Sequence, residues 1–262
     1  MKINPRNIYY IFDQPVQYKA LTLYPVRIKD YIIFQGLASC LSLEKNSIKD
    51  PVQAVKAISM SYLQYMFLVS DSENNIIQLF VGLMALVLGK KDDKDFEIKY
   101  WNDGTGGLFL DIDGNTYDSY DVDVLREIIS EQNMYELPDE TIQKEVREKI
   151  EEARKYREKL NKSGVASMED QIIALSLYSG WDLEKIYGMT IRKFLLSIRR
   201  ANHMIHSNIY LTASMSGFVT FKNKSALRGW LADLEDDDRN SDVTISLESV
   251  QNKVNFNEAM EK

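Results

Sequence analysis

Residues 190–230 read TIRKFLLSIRRANHMIHSNIYLTASMSGFVTFKNKSALRGW, and their spacing sets the expected fold. Ile191, Phe194, Leu195, Ile198, Ile205, Ile209 and Leu211 face one way at helical intervals, with Arg192, Lys193, Arg199 and Arg200 elsewhere around the axis. Thr190 is placed to cap this long helix and Gly217 to stop it. FVTF then extends, and Ser225 caps a further helix, ALRGWLADLEDDD. Helix–turn–helix packing around the long helix is expected to form a C-terminal core. Between Lys185 and Ala232 there is no Asp or Glu but eight Lys or Arg, in a chain of net charge -7.

Upstream, SMED has the Ser-x-x-acid spacing of a capping box and opens the helix MEDQIIALSLYSG, which Gly180 closes. Asp182 caps a short turn, DLEKIYG. Before them, residues 139–162 carry fifteen charges in twenty-four, of both signs, with only Ile142, Val146, Ile150, Ala153 and Leu160 as an apolar stripe. This is a solvated helix held by (i, i+4) ion pairs, or a coiled-coil seam, and it ends at Ser163-Gly164. It is the expected domain connector.

The first ninety residues are mainly a helical packing unit. IYYIF and KALTLYPV, interrupted by prolines, fit short strands or an extended arm over residues 1–25. A helix follows from Val26 to Leu41, and a second from Pro51 to Val69 with Asp50 as cap. Asp71 and Ser72 cap a third, Ile76–Leu88, closed by Gly89. FEIKYW, NDGTGG and LFLDIDGNTYDSY then alternate and turn as a small antiparallel meander near 96–120. DIDGN lacks the spacing of a calcium loop, so an Asp-Gly hairpin turn is expected there. Asp121 or Asp123 is placed to cap the next helix.

The fold class is therefore mainly α with a small antiparallel β meander (α+β), two helical lobes joined by a charged helix. The expected boundaries are an N-terminal domain at 1–137, the linker at 138–164, a C-terminal helical domain at 165–238 and a polar tail at 239–262.

Composition narrows the chemistry. Hydrophobic residues at 45% and charged residues at 27% support a folded globular protein. The single cysteine, Cys40, excludes an internal disulfide, and with no signal pattern visible a reducing cytoplasm is expected. Ile76–Leu88 is the most apolar window, at thirteen residues. That is short of the roughly 20 that cross a bilayer, so a buried helix and no membrane contact are expected. No phosphate loop, dinucleotide fingerprint or nucleophile elbow occurs. His203 and His206 lie three apart on one helix without an acid or cysteine nearby to complete a metal site. Catalytic residues, cofactors and metals are accordingly not expected.

Lys185, Arg192, Lys193, Arg199, Arg200, Lys222, Lys224 and Arg228 could form one basic face for nucleic acid. DLEDDD, with five acids in six residues, follows closely and can neutralise it. An acidic protein surface is the preferred partner over nucleic acid, and plain solvation of the segment is preferred to either.

LEKIYGMTIRKFLLSIRRANHMIHSNIY and ASMSGFVTFKNKSALRGWLADLE also resemble a C-terminal pattern of tail and baseplate assembly proteins of tailed bacteriophages of Gram-positive bacteria. The matching residues are Thr190, Ile191, Arg192 and Phe194, then Ser216, Gly217, Val219, Phe221 and Lys222, with Trp230 after them. LPDETIQKEV and SMEDQIIALSLYSG look similar to the region before that pattern, so the resemblance covers about residues 137–235. It implies a non-enzymatic tail assembly chaperone or baseplate hub assembly protein acting on virion proteins in the host cytoplasm. A permanent baseplate or neck subunit of the virion is the alternative, and a homo-oligomer is left open. Arg192, Arg199, Arg200, Phe221, Lys222 and Trp230 are the expected partner-binding residues.

Overall fold

Alternating apolar residues at Val16, Leu21 and Leu23 build the first strand pair, since alternation puts all three on one face. A computed structural model describes residues 7–45, 51–70, 75–90, 98–102, 108–138, 146, 148–150, 152–153, 155–156 and 166–218. After α1 (Asn7–Ile11), β1 (Val16–Tyr18) pairs antiparallel with β2 (Leu21–Leu23), Val16 opposite Leu23. Lys19 turns the chain in the left-handed region at φ 51.

The helix expected over 26–41 is shorter than its apolar periodicity. A 3₁₀ turn at Ile28–Asp30 leads into α2 (Tyr31–Ala38), and another 3₁₀ turn follows at Ser39–Ser42. The expected helix Pro51–Val69 is two helices, α3 (Pro51–Ser59) and α4 (Tyr62–Val69). Ser61 divides them. Its hydroxyl accepts from the Gln64 backbone N–H at 3.2 Å, and the Gln64 side chain accepts from the Ser61 N–H at 3.0 Å. This capping box starts a new helix inside an apolar run whose spacing alone shows no break.

α5 (Ile76–Val87) is capped by Asn75, whose side chain accepts from Gln78 N at 3.2 Å, rather than by Asp71 or Ser72. Gly89 closes it at φ 67. Its N–H reaches Leu86 O at 3.2 Å and that of Lys90 reaches Ala85 O at 3.1 Å, the paired bonds of a Schellman stop.

β3 (Ile98–Asn102), β4 (Leu108–Ile112) and β5 (Asn115–Tyr117) form the expected meander, ordered β3-β4-β5. Asp113 and Gly114 turn β4 into β5 at φ 53 and 79, both positive as a two-residue hairpin turn requires. The next helix, α6 (Ser119–Asn133), is capped by Asp118 and not by Asp121 or Asp123. Asp121 is the other half of that capping box, one turn inside the helix.

Past the charged segment, whose described residues between 146 and 156 are helical, come α7 (Met168–Ser179), α8 (Leu183–Tyr187) and α9 (Ile191–Met215). Thr190 caps α9, its hydroxyl accepting from Lys193 N at 3.2 Å. Gly180 and Gly217 both turn left-handed, at φ 70 and 71. The molecule is thus mainly helical with two small antiparallel sheets.

Packing divides the chain into one unit of Met1–Glu140 with Met168–Asn202 and another of Thr141–Ser167 with His203–Lys262. In the first, Phe34, Leu63, Met66, Phe80, Leu83 and Leu125 are fully buried, and Leu175, Ile186, Ile191 and Phe194 belong to the same core. Backbone bonds join the two parts of this unit: Ile28 N donates to Met189 O and Ile191 N to Val26 O, each at 2.9 Å. The adjoining extended segment is held from other sides too. Tyr24 N donates to Val87 O at 2.7 Å, Gln132 Nε2 to Leu23 O at 3.1 Å, and Val26 N to Asn133 Oδ1 at 2.9 Å. Where the chain leaves the β1–β2 pair beside the core, its polar backbone groups need such partners.

Candidate partner-binding surfaces

The basic segment is the expected site, and the fold commits much of it internally. The Lys185 ammonium lies 4.3 Å from the centre of the Trp181 ring. Arg192 donates to the Glu131 carbonyl at 3.0 Å, near the end of α6, with its guanidinium 5.5 Å from the Tyr10 ring centre. Lys193 pairs with Asp13 at 2.9 Å, and the other oxygen of Asp13 accepts from the Thr190 hydroxyl at 2.7 Å. Arg199 is exposed and Arg200 half-buried, side by side about two turns further along α9. Phe221, Lys222 and Trp230 lie outside the described residues. Arg192 is therefore a tie between α9 and α6, while Arg199 is presented to solvent.

These pairings also shape the cavity beside α8, about 290 Å³, lined by Asp13, Trp181, Glu184, Lys185, Gly188, Met189 and Lys193. Its cations face partners of this same chain, so it offers little uncommitted charge to an anion. Among the described residues no group of three His, Cys, Asp or Glu could hold a metal ion. His206 stacks instead on Tyr210, ring centres 6.1 Å apart.

The apolar face of α9 is used unevenly. Ile191 and Phe194 are buried and Leu195 and Ile198 half-buried, whereas Ile205, Ile209 and Leu211 are exposed. Met215 at 83% and Phe218 at 94% exposure continue that apolar surface to the end of the helix. Periodicity marked the positions from Ile191 to Leu211 as one face. It did not show that the buried apolar residues of this face end at Phe194.

A second apolar surface went unrecognised in the sequence. A groove of about 400 Å³ lies between α2 and α7–α8, with Tyr31, Ile32, Ile172, Ile173, Leu183 and Tyr187 among its walls. α7 buries only Leu175, although its apolar residues are spread around the whole helix. Its polar residues are spread around it too, so no side is clearly polar, and that absence of a distinct polar face was the available signal.

Elsewhere the titrating groups serve the scaffold. Burial pushes the Cys40 thiol up to about 12, and Arg126, bonded to the Leu41 carbonyl at 2.9 Å, only partly counters it. Cys40 is fully buried, as its apolar surroundings led us to expect. Thiol reagents at pH 8 should accordingly leave the native protein unlabelled and modify one thiol per chain in denaturant, measured by absorbance of the released chromophore. Rapid native labelling would show that this region opens readily.

Among the described residues no helix is long and apolar enough to cross a membrane. In comparisons with known proteins, residues 158–235 match a family model described as YomV second domain. This is a phage-derived family, and the match spans under a third of the chain. No curated protein and no solved structure matches. The matched segment contains α7, α8 and α9, and its family points to a phage protein.

Proposed function

We propose that this chain is a non-enzymatic bacteriophage protein that binds virion proteins during assembly of the tail or baseplate. The observation that carries the reading is the distal part of α9, where Ile205, Ile209, Leu211, Met215 and Phe218 are exposed within the segment that matches the phage family. Residues 191–215 contain no acid, so the helix suits a partner that offers apolar residues and negative charge. Tail and baseplate proteins as the partners follow from the resemblance of Thr190–Phe194 and the residues after Ser216. The internal ties of Lys185, Arg192 and Lys193 weigh against a nucleic-acid role, because phosphate binding needs those cations presented together.

Affinity capture of the tagged protein from infected cells, with mass spectrometry of what is retained, tests this. Tail or baseplate proteins should be retained by the native chain. Ile209→Asp and Arg199→Glu, both at exposed positions, should each lower that retention at least several-fold with helix content unchanged. Retention unaltered by both variants would remove α9 from the reading. An assembly factor should also be missing from purified particles, whereas a fixed copy number there would make the chain a virion subunit. Binding to a nucleic-acid column that weakens steeply with salt would overturn the protein-partner reading.

A further inference from the structure

The short arm made of α1 and Asp13 lies on the first turn of α9 and is held there by few contacts. Ile8 is 54% exposed, Tyr9 44%, Ile11 66% and Phe12 66%, so among residues 8–12 only Tyr10 is buried. The Tyr10 hydroxyl donates to a Glu131 carboxylate oxygen at 2.8 Å, and the Arg192 guanidinium lies 5.5 Å from its ring centre. Asp13 gives the second hold, accepting from the Thr190 hydroxyl at 2.7 Å and from Lys193 Nζ at 2.9 Å. Both partners of that ion pair reach solvent, and ion pairs open to water hold weakly. An arm fixed by one enclosed ring and one wet ion pair can open while the core beneath it stays folded.

Asp13 also stands where helix geometry favours a different residue. The Gln14 N–H bonds back to Tyr9 O at 2.8 Å and the Asp13 N–H to Tyr10 O at 3.5 Å, the paired bonds of a Schellman stop. Asp13 takes the left-handed position of that stop, at φ 54, which suits glycine and which aspartate only tolerates. Closing α1 does not require a carboxylate there. Holding the first turn of α9 does, because negative charge is favourable at a helix N-terminus and Thr190 and Lys193 supply the donors.

The arm thus offers a tyrosine and, three residues on, a carboxylate to a site built from Glu131, Thr190, Arg192 and Lys193. Charge narrows what else could sit there. Arg192 already donates to the Glu131 carbonyl, and in the adjoining cavity Glu184 and Lys185 are of opposite sign. A site with the Glu131 carboxylate among its walls repels a phosphate chain but accepts a phenolic hydroxyl beside a single acid. We infer that this is a docking site for a segment of a partner protein that carries a tyrosine followed three residues later by an aspartate or glutamate. α1 with Asp13 is its built-in competitor, and the partner gains the site by displacing Tyr10 and Asp13. This goes beyond the proposed function, since it concerns the covered start of α9 rather than its exposed end, and no virion protein enters its test.

Hydrogen exchange of the full-length protein, read by mass spectrometry, shows whether the arm opens. Segments covering residues 8–14 should exchange about a hundredfold faster than the middle of α6. Asp13→Gly keeps the helix stop but removes the carboxylate, so it should speed the arm by a further factor of about ten with α6 unchanged. A fluorescent peptide of residues 7–14 then probes the site by anisotropy. The Tyr10→Ala, Asp13→Gly protein should bind it about tenfold more tightly than the native chain, where the tethered arm competes at high effective concentration. Peptides carrying Tyr10→Phe or Asp13→Asn should bind more weakly. An arm that exchanges as slowly as α6, or a peptide bound no better by the double variant than by the native chain, would overturn the inference. So would a native chain of twice the monomer mass that the double substitution converts to single chains, because the site would then belong to the arm of a second copy.

Discussion

Replacing Phe194 by alanine should destabilise the first packing unit by about 3–5 kcal/mol, the range for removing a fully enclosed phenylalanine ring. Phe194 is 0% exposed and sits in the first turns of α9, beside Ile191 and in one core with residues drawn from 10–138. The ring anchors a segment distant in sequence, and its loss leaves a cavity that the surrounding helices fill only in part. Because small domains are stable by only about 5–15 kcal/mol, the loss is a large fraction of the whole. Urea unfolding followed by circular dichroism should show a much lower midpoint. The contrasting case is Ile209→Ala on the same helix. It is 56% exposed, and its midpoint should move by no more than about 0.5 kcal/mol. Equal effects at the two positions would mean that α9 is not divided into a buried and a presented part.

Asp121→Asn should cost about 2–3 kcal/mol near neutral pH, and that cost should vanish in acid. Asp121 is 2% exposed, yet its carboxylate accepts from Tyr18 Oη at 2.7 Å and Lys19 Nζ at 2.5 Å, and from the Asp118 N–H at 3.0 Å. It ties the β1–β2 hairpin to the first turn of α6. Hydrogen bonds to a buried charge are worth about 1.5–3 kcal/mol, and an amide replaces them only in part. Burial alone would raise the pKa of this acid, but the bonds from Lys19 and Tyr18 outweigh it and hold the pKa below its ordinary value. On the other side of the contact, burial and the Asp121 carboxylate push the Tyr18 hydroxyl upward, so it stays a donor.

A depressed folded-state pKa means that the unfolded chain takes up the proton first as pH falls. The stabilisation is thus complete above the unfolded value of about 3.9 and is lost as pH drops through the folded value below it. The gap in stability between native and Asp121→Asn proteins should be constant from pH 7 to about 5, then close below about 4. Thermal melts across that range measure it. A gap independent of pH would show that packing of the side chain, rather than its charge, supplies the stabilisation.

Much of the architecture was legible before any coordinates. The meander, its Asp113-Gly114 turn, the glycine stops at Gly89, Gly180 and Gly217, and the Thr190 cap follow from local stereochemistry, because each needs only a few adjacent residues. The misread boundaries have the same local character. Ser61 with Gln64, Asn75 and Asp118 are cap residues hidden beside longer runs of convincing periodicity or beside other acids. Where two residues within three positions could each cap a helix, only the observed hydrogen bond decides.

The candidate surface was legible in part. The basic run of Lys185–Arg200 was plain, but whether a cation is presented or spent depends on what the fold brings to it. Asp13 and Tyr10, 180 or more positions earlier, and Glu131 decide that Lys193 and Arg192 are internal ties. No spacing rule carries information across that distance.

The sequence by itself determined that this is a mainly helical chain with one acid-free basic segment, since hydrophobic periodicity and charge are properties of neighbouring residues. Tertiary structure alone decided that Ile191 and Phe194 are core while Ile205 and Ile209 are surface, on what reads as one uninterrupted face. It also left Ile173, Leu177 and Tyr178 of α7 open to solvent. Burial is the property of an assembled neighbourhood, and those neighbours come from parts of the chain that no local pattern connects.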